Sequence, residues 1–286
     1  MQDGGRRTGK LKPLTLGYSP CPNDTFIFCA IAEKKIEVPF ALDILLDDVE
    51  MLNKRVVRGA LDISKISANA AADILDRYWL LRSGGAMGRG CGPLVVARSP
   101  VEFKDLRYAS MATPGDLTTA GLLLRIEGTH QGRRIPMRFD RIMPAVAAGE
   151  VDAGVVIHEG RWTYDTYGLH VALDLGRWWE SQTGLPVPLG VIAMRRDLGS
   201  EIAGAIEETI RESLHYVREH PDQAMPYIRR YAQEMSPEVI NLHIDTFVNE
   251  FTVDSGGEGE KAMRTLLEAA YALAKKPFPK QELFWR

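Results

Sequence analysis

The amino-acid sequence predicts a two-lobed α/β protein with mainly parallel sheets. Short apolar runs alternate with helical patterns over much of the 286 residues, and this alternation is typical of crossover units in a parallel sheet. Two extended apolar segments bounded by Gly or Pro, 92–98 and 188–195, separate the middle of the chain from both ends. Such paired crossings predict a clamshell with a ligand cleft, and the alternative is that both are core strands of one large sheet.

The first third of the chain supplies three strands and three helices in turn. LTLGY is an apolar strand, and Asp24 is predicted to cap the helix that follows it. ISKIS is a short apolar run that predicts a buried strand. The strands are predicted at 14–18, 41–48 and 63–67, and the helices at 24–35, 49–62 and 68–79.

The middle and last thirds complete the two predicted lobes. The glycine-rich stretch 83–93 is predicted to be a loop, and a second α/β set begins with a strand at 94–98. The last third is nearly all helical in pattern. We therefore expect one lobe from residues 1–95 and 195–286, a second lobe from 96–194, and a ligand cleft between them.

Composition and charge exclude several classes of function. Hydrophobic residues make up 45% of the chain and charged residues 26%, which is typical of a soluble globular protein. The 35 basic and 38 acidic residues give a net charge of −3, which argues against nucleic acid as a partner. A small organic anion remains compatible with local basic or N–H-rich pockets.

Cysteine usage and the chain start predict a cytoplasmic protein without metal or nucleotide. Cys21, Cys29 and Cys91 show neither disulfide nor zinc spacing, which favours a reducing compartment and no bound metal. No stretch has the length of a signal peptide or a membrane span, so no membrane partner is expected. No Rossmann or Walker glycine pattern is present, which disfavours a nucleotide cofactor.

The segment SPCPNDTF (19–26) is the first candidate for ligand binding. Its two prolines stiffen the loop after a strand, and the polar residues then open a helix whose free N–H groups favour an anion. We select Ser19, Asn23 and Asp24 as substrate-binding candidates on this ground. The alternative is an ordinary well-capped turn between strand and helix.

Two further segments carry polar side chains at comparable places. Lys65 lies in an apolar strand, so its ammonium is expected to reach a carboxylate, either a ligand's or an internal one, and Ser67 ends that strand. Thr118 and Thr119 lie at a second predicted helix start, where hydroxyls and backbone N–H groups can hold a carboxylate or phosphate. The alternative for the two threonines is N-capping alone.

His158 is the candidate catalytic residue. It follows the apolar run VDAGVVI directly, and the carboxyl end of such a strand borders the ligand crevice in open α/β sheets. An imidazole there can act as base or acid near neutral pH, although a lone histidine is more often structural. Glu159 and Arg161 lie near enough in sequence to orient the ring or bind an anion. The remaining histidines, on predicted surface loops, a strand or helices, are His130, His170, His215, His220 and His243.

Five segments in order resemble the 1,4-dihydroxy-6-naphthoate synthase family of the futalosine route to menaquinone. They are SPCPNDTFIF, the SKIS strand, TPGDLTTA, the HEGRWTY segment and DLGRWWESQTGLPVPLG. The resemblance runs from about Leu14 to Leu198. In the last segment, Trp178 and Trp179 either pack beside the second crossing or stack on an aromatic ligand.

The resemblance implies a periplasmic-binding-protein-like clamshell of type II that acts as an enzyme. The family converts cyclic dehypoxanthinyl futalosine to 1,4-dihydroxy-6-naphthoate by cleaving a sugar-derived part from the ring system, without metal or organic cofactor. Its proposed base falls on His158, and its contacts to a carboxylate-bearing substrate fall on the SKIS and TTA segments. Two alternatives stay open, namely a non-catalytic solute-binding protein and the chorismate dehydratase of the same route. The sequence leaves the oligomeric state open.

Overall fold

The computed structural model describes residues 12–232 and 236–286, which form two five-stranded sheets with helices around them. The strands are β1 (Leu14–Tyr18), β2 (Leu42–Leu46), β3 (Ile63–Ser67), β4 (Tyr78–Gly88), β5 (Leu94–Ala97), β6 (Met111–Thr113), β7 (Arg134–Pro136), β8 (Ala153–Val156), β9 (His170–Asp174) and β10 (Val187–Arg195). The helices are α1 (Pro22–Ala32), α2 (Val49–Val57), α3 (Thr119–Glu127), α4 (Phe139–Ala148), α5 (Gly160–Thr163), α6 (Leu175–Thr183), α7 (Ser200–Glu219), α8 (Pro221–Tyr231), α9 (Pro237–Phe247), α10 (Glu250–Val253) and α11 (Gly256–Leu273).

The two sheets have the same strand pattern. The first has the order β2-β1-β3-β10-β4 and the second the order β7-β6-β8-β5-β9. In the first sheet, β1 runs parallel to β2 and β3, whereas β10 runs antiparallel to β3 and β4. In the second, β6 runs parallel to β7 and β8, whereas β5 runs antiparallel to β8 and β9.

The sheets are therefore mixed, and the expectation of mainly parallel sheets needs correction. The antiparallel strands β5 and β10 are the segments that carry the chain from one sheet to the other. Strand β5 follows β4 after a short link and β10 follows helix α6, and each runs antiparallel to both of its neighbours. Apolar periodicity reports burial of a strand and not its direction, which is why the sequence left this point undetected.

Strand pairing assigns each crossing to a sheet. All of β5 pairs within the second sheet, and all of β10 pairs within the first. The division at residues 95/96 and 194/195 stays a prediction for the lobes as units. One buried cluster contains Leu52 beside the first sheet and Leu122 beside the second, so the two sides pack against each other.

Two local expectations differ from the structure. Helix α1 begins at Pro22 with Cys21 at the N-cap position, so Asp24 lies in the first turn and is not the cap. Proline favours this start because its φ is already helical and it lacks the N–H that would stay unpaired. The predicted glycine-rich loop is extended as far as Gly88, because β4 pairs with β10 through two register shifts. None of the helices in the described ranges is long and apolar enough to span a bilayer.

We expect Gly176→Ala to destabilise the fold, because α6 lies directly against the crossing into β5. A Cβ at Gly176 would overlap the carbonyl oxygen of Cys91, and that oxygen belongs to backbone that cannot rotate away. Crowding of this kind costs about 1–3 kcal/mol. The measurement is the free energy of unfolding in urea.

Gly257→Ala is the matched control, since Gly257 is also the second residue of a helix. A Cβ there meets no atom of the described residues within 4 Å. We expect this change to be neutral or to stabilise by up to ~1 kcal/mol, because it restricts the unfolded chain. Equal losses in both variants would contradict the proposed backbone contact.

Candidate active site

A cavity lies between the two sheets and is lined by residues from both of them. Strand ends and helix starts from both sheets form its polar side. Apolar side chains such as Val49, Ile66, Leu189 and Phe247 form the rest. All eight site residues selected from the sequence line this one cavity, namely Ser19, Asn23, Asp24, Lys65, Ser67, Thr118, Thr119 and His158.

Asp24 is the centre of the polar wall contributed by the first sheet. Its Oδ2 accepts hydrogen bonds from the backbone N–H of Ser19 at 3.2 Å and from the Ser19 hydroxyl at 2.7 Å. Its Oδ1 accepts from Asn23 Nδ2 at 2.9 Å and forms an ion pair with Lys65 Nζ at 3.0 Å. The carboxylate is thus held by donors from its own turn and by the neighbouring strand β3.

Lys65 has an internal carboxylate partner, which settles the question that the sequence left open. Its side chain is 4% exposed, and Nζ also donates to the carbonyl oxygen of Gly84 at 2.7 Å. An ammonium has three protons, and Asp24 and Gly84 take two of them. The third is available to a molecule in the cavity.

Ser67 presents a hydroxyl whose proton has no acceptor among the described residues. Asn53 holds the residue on both sides: its Nδ2 donates to Ser67 Oγ at 3.0 Å, and its Oδ1 accepts from the Ser67 backbone N–H at 2.8 Å. Since the hydroxyl oxygen already accepts from Asn53, its own O–H is free to donate. The side chain is therefore an oriented donor at the edge of the cavity.

The two threonines use their hydroxyls inside the protein. Thr118 caps α3, accepting from the backbone N–H of Gly121 at 3.1 Å and donating to the Gly115 carbonyl at 2.7 Å. Thr119 Oγ1 donates to the carbonyl of Leu189 in β10 at 2.9 Å. The capping alternative thus holds for Thr118, and Thr119 links α3 to the first sheet.

The start of α3 nevertheless offers donors to the cavity. The backbone N–H groups of Thr119 and Ala120 are the first two of the helix and have no protein acceptor in the described ranges. Both residues line the cavity, and the positive end of the helix dipole favours a negative charge there. Together with the Ser67 hydroxyl, they form a place suited to a carboxylate.

His158 also lines the cavity and lies two residues after β8. Its φ of +54° is in the left-handed region, which non-glycine residues enter only where the surroundings fix it. Nδ1 lies 3.6 Å from Cys21 Sγ, at the start of α1. Burial raises the pKa of the Cys21 thiol well above its usual value, so the neighbour of the ring is a neutral thiol.

An aromatic cluster encloses the ring of His158. Phe139 contacts it edge-on, with ring centroids 5.0 Å apart, and His243 stacks on it at 6.1 Å. Trp162 and Phe247 contact His243 in turn, at 5.8 Å and 4.8 Å. Because this cluster combines residues of α5 and α9, the two sides of the cavity meet at His158.

The sequence places His243 on a predicted helix and does not select it as a site residue, whereas the structure stacks its ring on His158. It is fully buried, and His130 is also buried at 3% exposure. A signal for His243 does exist: Ile240, His243, Ile244 and Phe247 follow the i, i+3, i+4, i+7 spacing of one helix face. That spacing alone indicates burial of the imidazole.

Arg161 and Trp179, whose roles the sequence leaves open, both make hydrogen bonds within the protein. Arg161 donates to the carbonyl oxygens of Gly92 at 2.9 Å and Gly90 at 3.0 Å, and it forms an ion pair with Asp174 at 2.7 Å. Trp179 is buried and donates from Nε1 to Pro186 at 3.1 Å. The described residues contain no group of three His, Cys, Asp or Glu side chains placed to hold a metal ion.

The comparisons with known proteins agree on one family. The menaquinone biosynthesis family model matches residues 14–272. The 1,4-dihydroxy-6-naphthoate synthase of Thermus thermophilus is 50% identical over 92% of this chain and 95% of its own length. The synthase of the same name from Streptomyces coelicolor is 44% identical over 91% and 93%.

A solved structure of lower sequence identity confirms the predicted fold class. The periplasmic aliphatic sulphonate binding protein of Escherichia coli superposes with a TM-score of 0.63 over 93% of this chain and 89% of its own, at 14% identity. The two mixed sheets with helices therefore form a two-lobed α/β fold like that of periplasmic binding proteins. With the family model covering nearly all of the described chain, this protein belongs to the menaquinone biosynthesis family.

Proposed function

We propose that this chain converts cyclic dehypoxanthinyl futalosine to 1,4-dihydroxy-6-naphthoate as a cofactor-independent carbon–carbon lyase. The observation that carries the proposal is that His158 and the donors of Ser67, Thr119 and Ala120 line the same cavity. Relatives of 50% and 44% identity bear the name of this synthase, which supports the substrate class. The three cysteines are unpaired and buried, which supports a cytoplasmic location.

In this proposal the carboxylate of the substrate binds at the start of α3. The backbone N–H groups of Thr119 and Ala120 and the hydroxyl of Ser67 donate to its oxygens, and Lys65 contributes its third proton nearby. Hydrogen bonds to an ionised group are worth about 1.5–3 kcal/mol each. The apolar wall around Ile66, Leu189 and Phe247 packs against the carbon skeleton of the ring system.

His158 then acts as the base. A proton on Nδ1 would point at the Cys21 sulfur, which leaves the lone pair on Nε2 for the substrate. Removal of a proton from the bound ring system creates enolate-like charge, for which the third proton of Lys65 is the remaining donor, because the N–H groups and the Ser67 hydroxyl hold the carboxylate. The carbon–carbon bond to the sugar-derived part then breaks, its electron pair and the proton held by His158 leave with that part, and aromatisation of the ring system supplies the driving force.

We expect His158→Asn to lower kcat by about 10²–10⁴-fold, the usual contribution of a general base, while binding of the product 1,4-dihydroxy-6-naphthoate changes little. Asn is the informative replacement because it tolerates the left-handed backbone at this position, whereas Ala would add strain. The measurements are turnover of cyclic dehypoxanthinyl futalosine and product affinity by calorimetry. Near-normal turnover would reject His158 as the base.

The control for this substitution is His215→Asn on the exposed face of α7, which should keep full activity. Chorismate, assayed beside the proposed substrate, separates the two reactions of the route. Dehydration of chorismate would reject the synthase assignment. Recovery of either compound unchanged, with tight binding, would instead indicate a solute-binding protein.

Ser67→Ala and Thr118→Ala remove one hydroxyl each and should affect different properties. We expect Ser67→Ala to weaken product binding about 10-fold or more, because a donor to the carboxylate is lost. Thr118→Ala should instead cost about 1 kcal/mol of folding stability, because its hydroxyl caps α3. Calorimetry and urea unfolding on both variants test the contrast, and equal effects on product affinity would contradict the proposed carboxylate site.

A further inference from the structure

His243 is a buried imidazole to which the proposed chemistry gives no role. Neither ring nitrogen has a hydrogen-bond partner among the residues that the structure describes. A buried polar group left unpaired costs about 1–3 kcal/mol, so such groups are few in native proteins. The ring also stacks on the proposed base, His158, so its unpaired nitrogens lie beside the proposed chemistry.

The ring of His243 forms a contact between the two sides of the cavity. Helix α9, which carries His243, packs on α1 and β4 of the first sheet. The ring stacks on His158 with an interplanar angle of 28° and meets Trp162 edge-on at 70°, and both of these residues follow β8 of the second sheet. Separation of the two sheets would therefore expose both nitrogens of His243 to water.

The packed position favours the neutral ring. Burial lowers the pKa of His243 well below its ordinary value, and the charge of a protonated His158 lowers it further. On the α1 side, Cys21 lies against His158, and burial keeps its thiol neutral by raising its pKa. Glu159 lies on the turn of His158, and Asp245 of α9 is exposed.

The charged residue that follows β4 is also paired. Arg89 follows β4 and forms an ion pair with Glu258 at 2.7 Å, with both side chains about half exposed. No carboxylate is hydrogen-bonded to the imidazole of His243 within the described ranges, so nothing there stabilises a charged ring. The packed arrangement therefore tolerates His243 only without its second proton.

We propose that His243 is a positioning residue for His158, holding the cleft closed on that ring as a neutral imidazole and releasing it when protonated. This inference rests on the proposed function. It gives His243 a place in lobe closure, whereas His158 keeps the chemical step. Because the closed cleft buries the ring without a partner for a second proton, closure is sensitive to pH.

The sign of the effect follows from proton linkage. In an open cleft the hydrated ring would titrate near pH ~6.5, whereas the pKa in the closed cleft is well below that value. Closure is therefore fully favoured above pH ~6.5 and is progressively lost as the pH falls below it. A ligand that requires closure loses affinity about tenfold per pH unit in that range.

The test measures the dissociation constant of 1,4-dihydroxy-6-naphthoate at pH 7.5 and 5.5 in two proteins. His158→Asn removes the other imidazole of the site, and His158→Asn/His243→Phe keeps an aromatic ring against Trp162 that cannot be protonated. We expect the Kd to rise about tenfold at pH 5.5 in the first protein and much less in the second. Titration of the product carboxylate or of Glu50 affects both proteins alike.

An equal pH dependence of Kd in the two proteins would overturn the role of His243. Failure of both proteins to bind the product at either pH would count against the proposed function, and small-angle X-ray scattering without ligand would then decide on His243. We expect the radius of gyration to increase from pH 7.5 to pH 5.5 in His158→Asn and to stay constant in the double variant. Equal values across both proteins and both pH values would reject the inference.

Discussion

The buried ion pair between Asp24 and Lys65 is the constraint around which the cavity is built. Both side chains are at most 4% exposed, and burial of an ion costs several kcal/mol unless its partners are well placed. Here Ser19 and Asn23 donate further hydrogen bonds to the Asp24 carboxylate. The ion pair therefore binds the turn after β1 to the middle of β3. The pair also constrains the neighbouring strand β10. The methylene chain of Lys65 lies over Gly190 of β10, where a Cβ would be 2.9 Å from Lys65 Cε.

This arrangement divides the site between the two sheets. The first sheet supplies fixed charge and a hydroxyl donor, whereas the second supplies the helix start of α3 and the imidazole of His158. Hydrogen bonds between α3 and the first sheet, such as that from the Thr119 hydroxyl to the Leu189 carbonyl of β10, bring the two sets of groups together. A polar wall made in this way needs no reorganisation when a charged substrate enters, which is the condition for strong electrostatic stabilisation.

The sequence predicts the site better than it predicts the sheets, for a physical reason. Ser67 and His158 are set by strand ends and Thr118 by a helix start, and such termini border the cavity in any α/β arrangement. Strands β1 and β3 match the predicted bounds because apolar runs report burial directly. Strand direction, the true cap of α1 and the partner of Lys65 depend on contacts between distant segments. His243 stayed hidden because helical spacing locates a buried face without saying what that face meets.

The backbone at His158 connects the fold to the chemistry. A left-handed conformation of a non-glycine residue costs about 1–2 kcal/mol and persists only where surrounding contacts require it. Cys21 and His243 of the first sheet and Phe139 of the second supply those contacts to the ring. The imidazole therefore has its observed position only while the two sides are together. Under the proposed function, a binding-protein fold that closes on its ligand becomes an enzyme when closure also completes the base and excludes water.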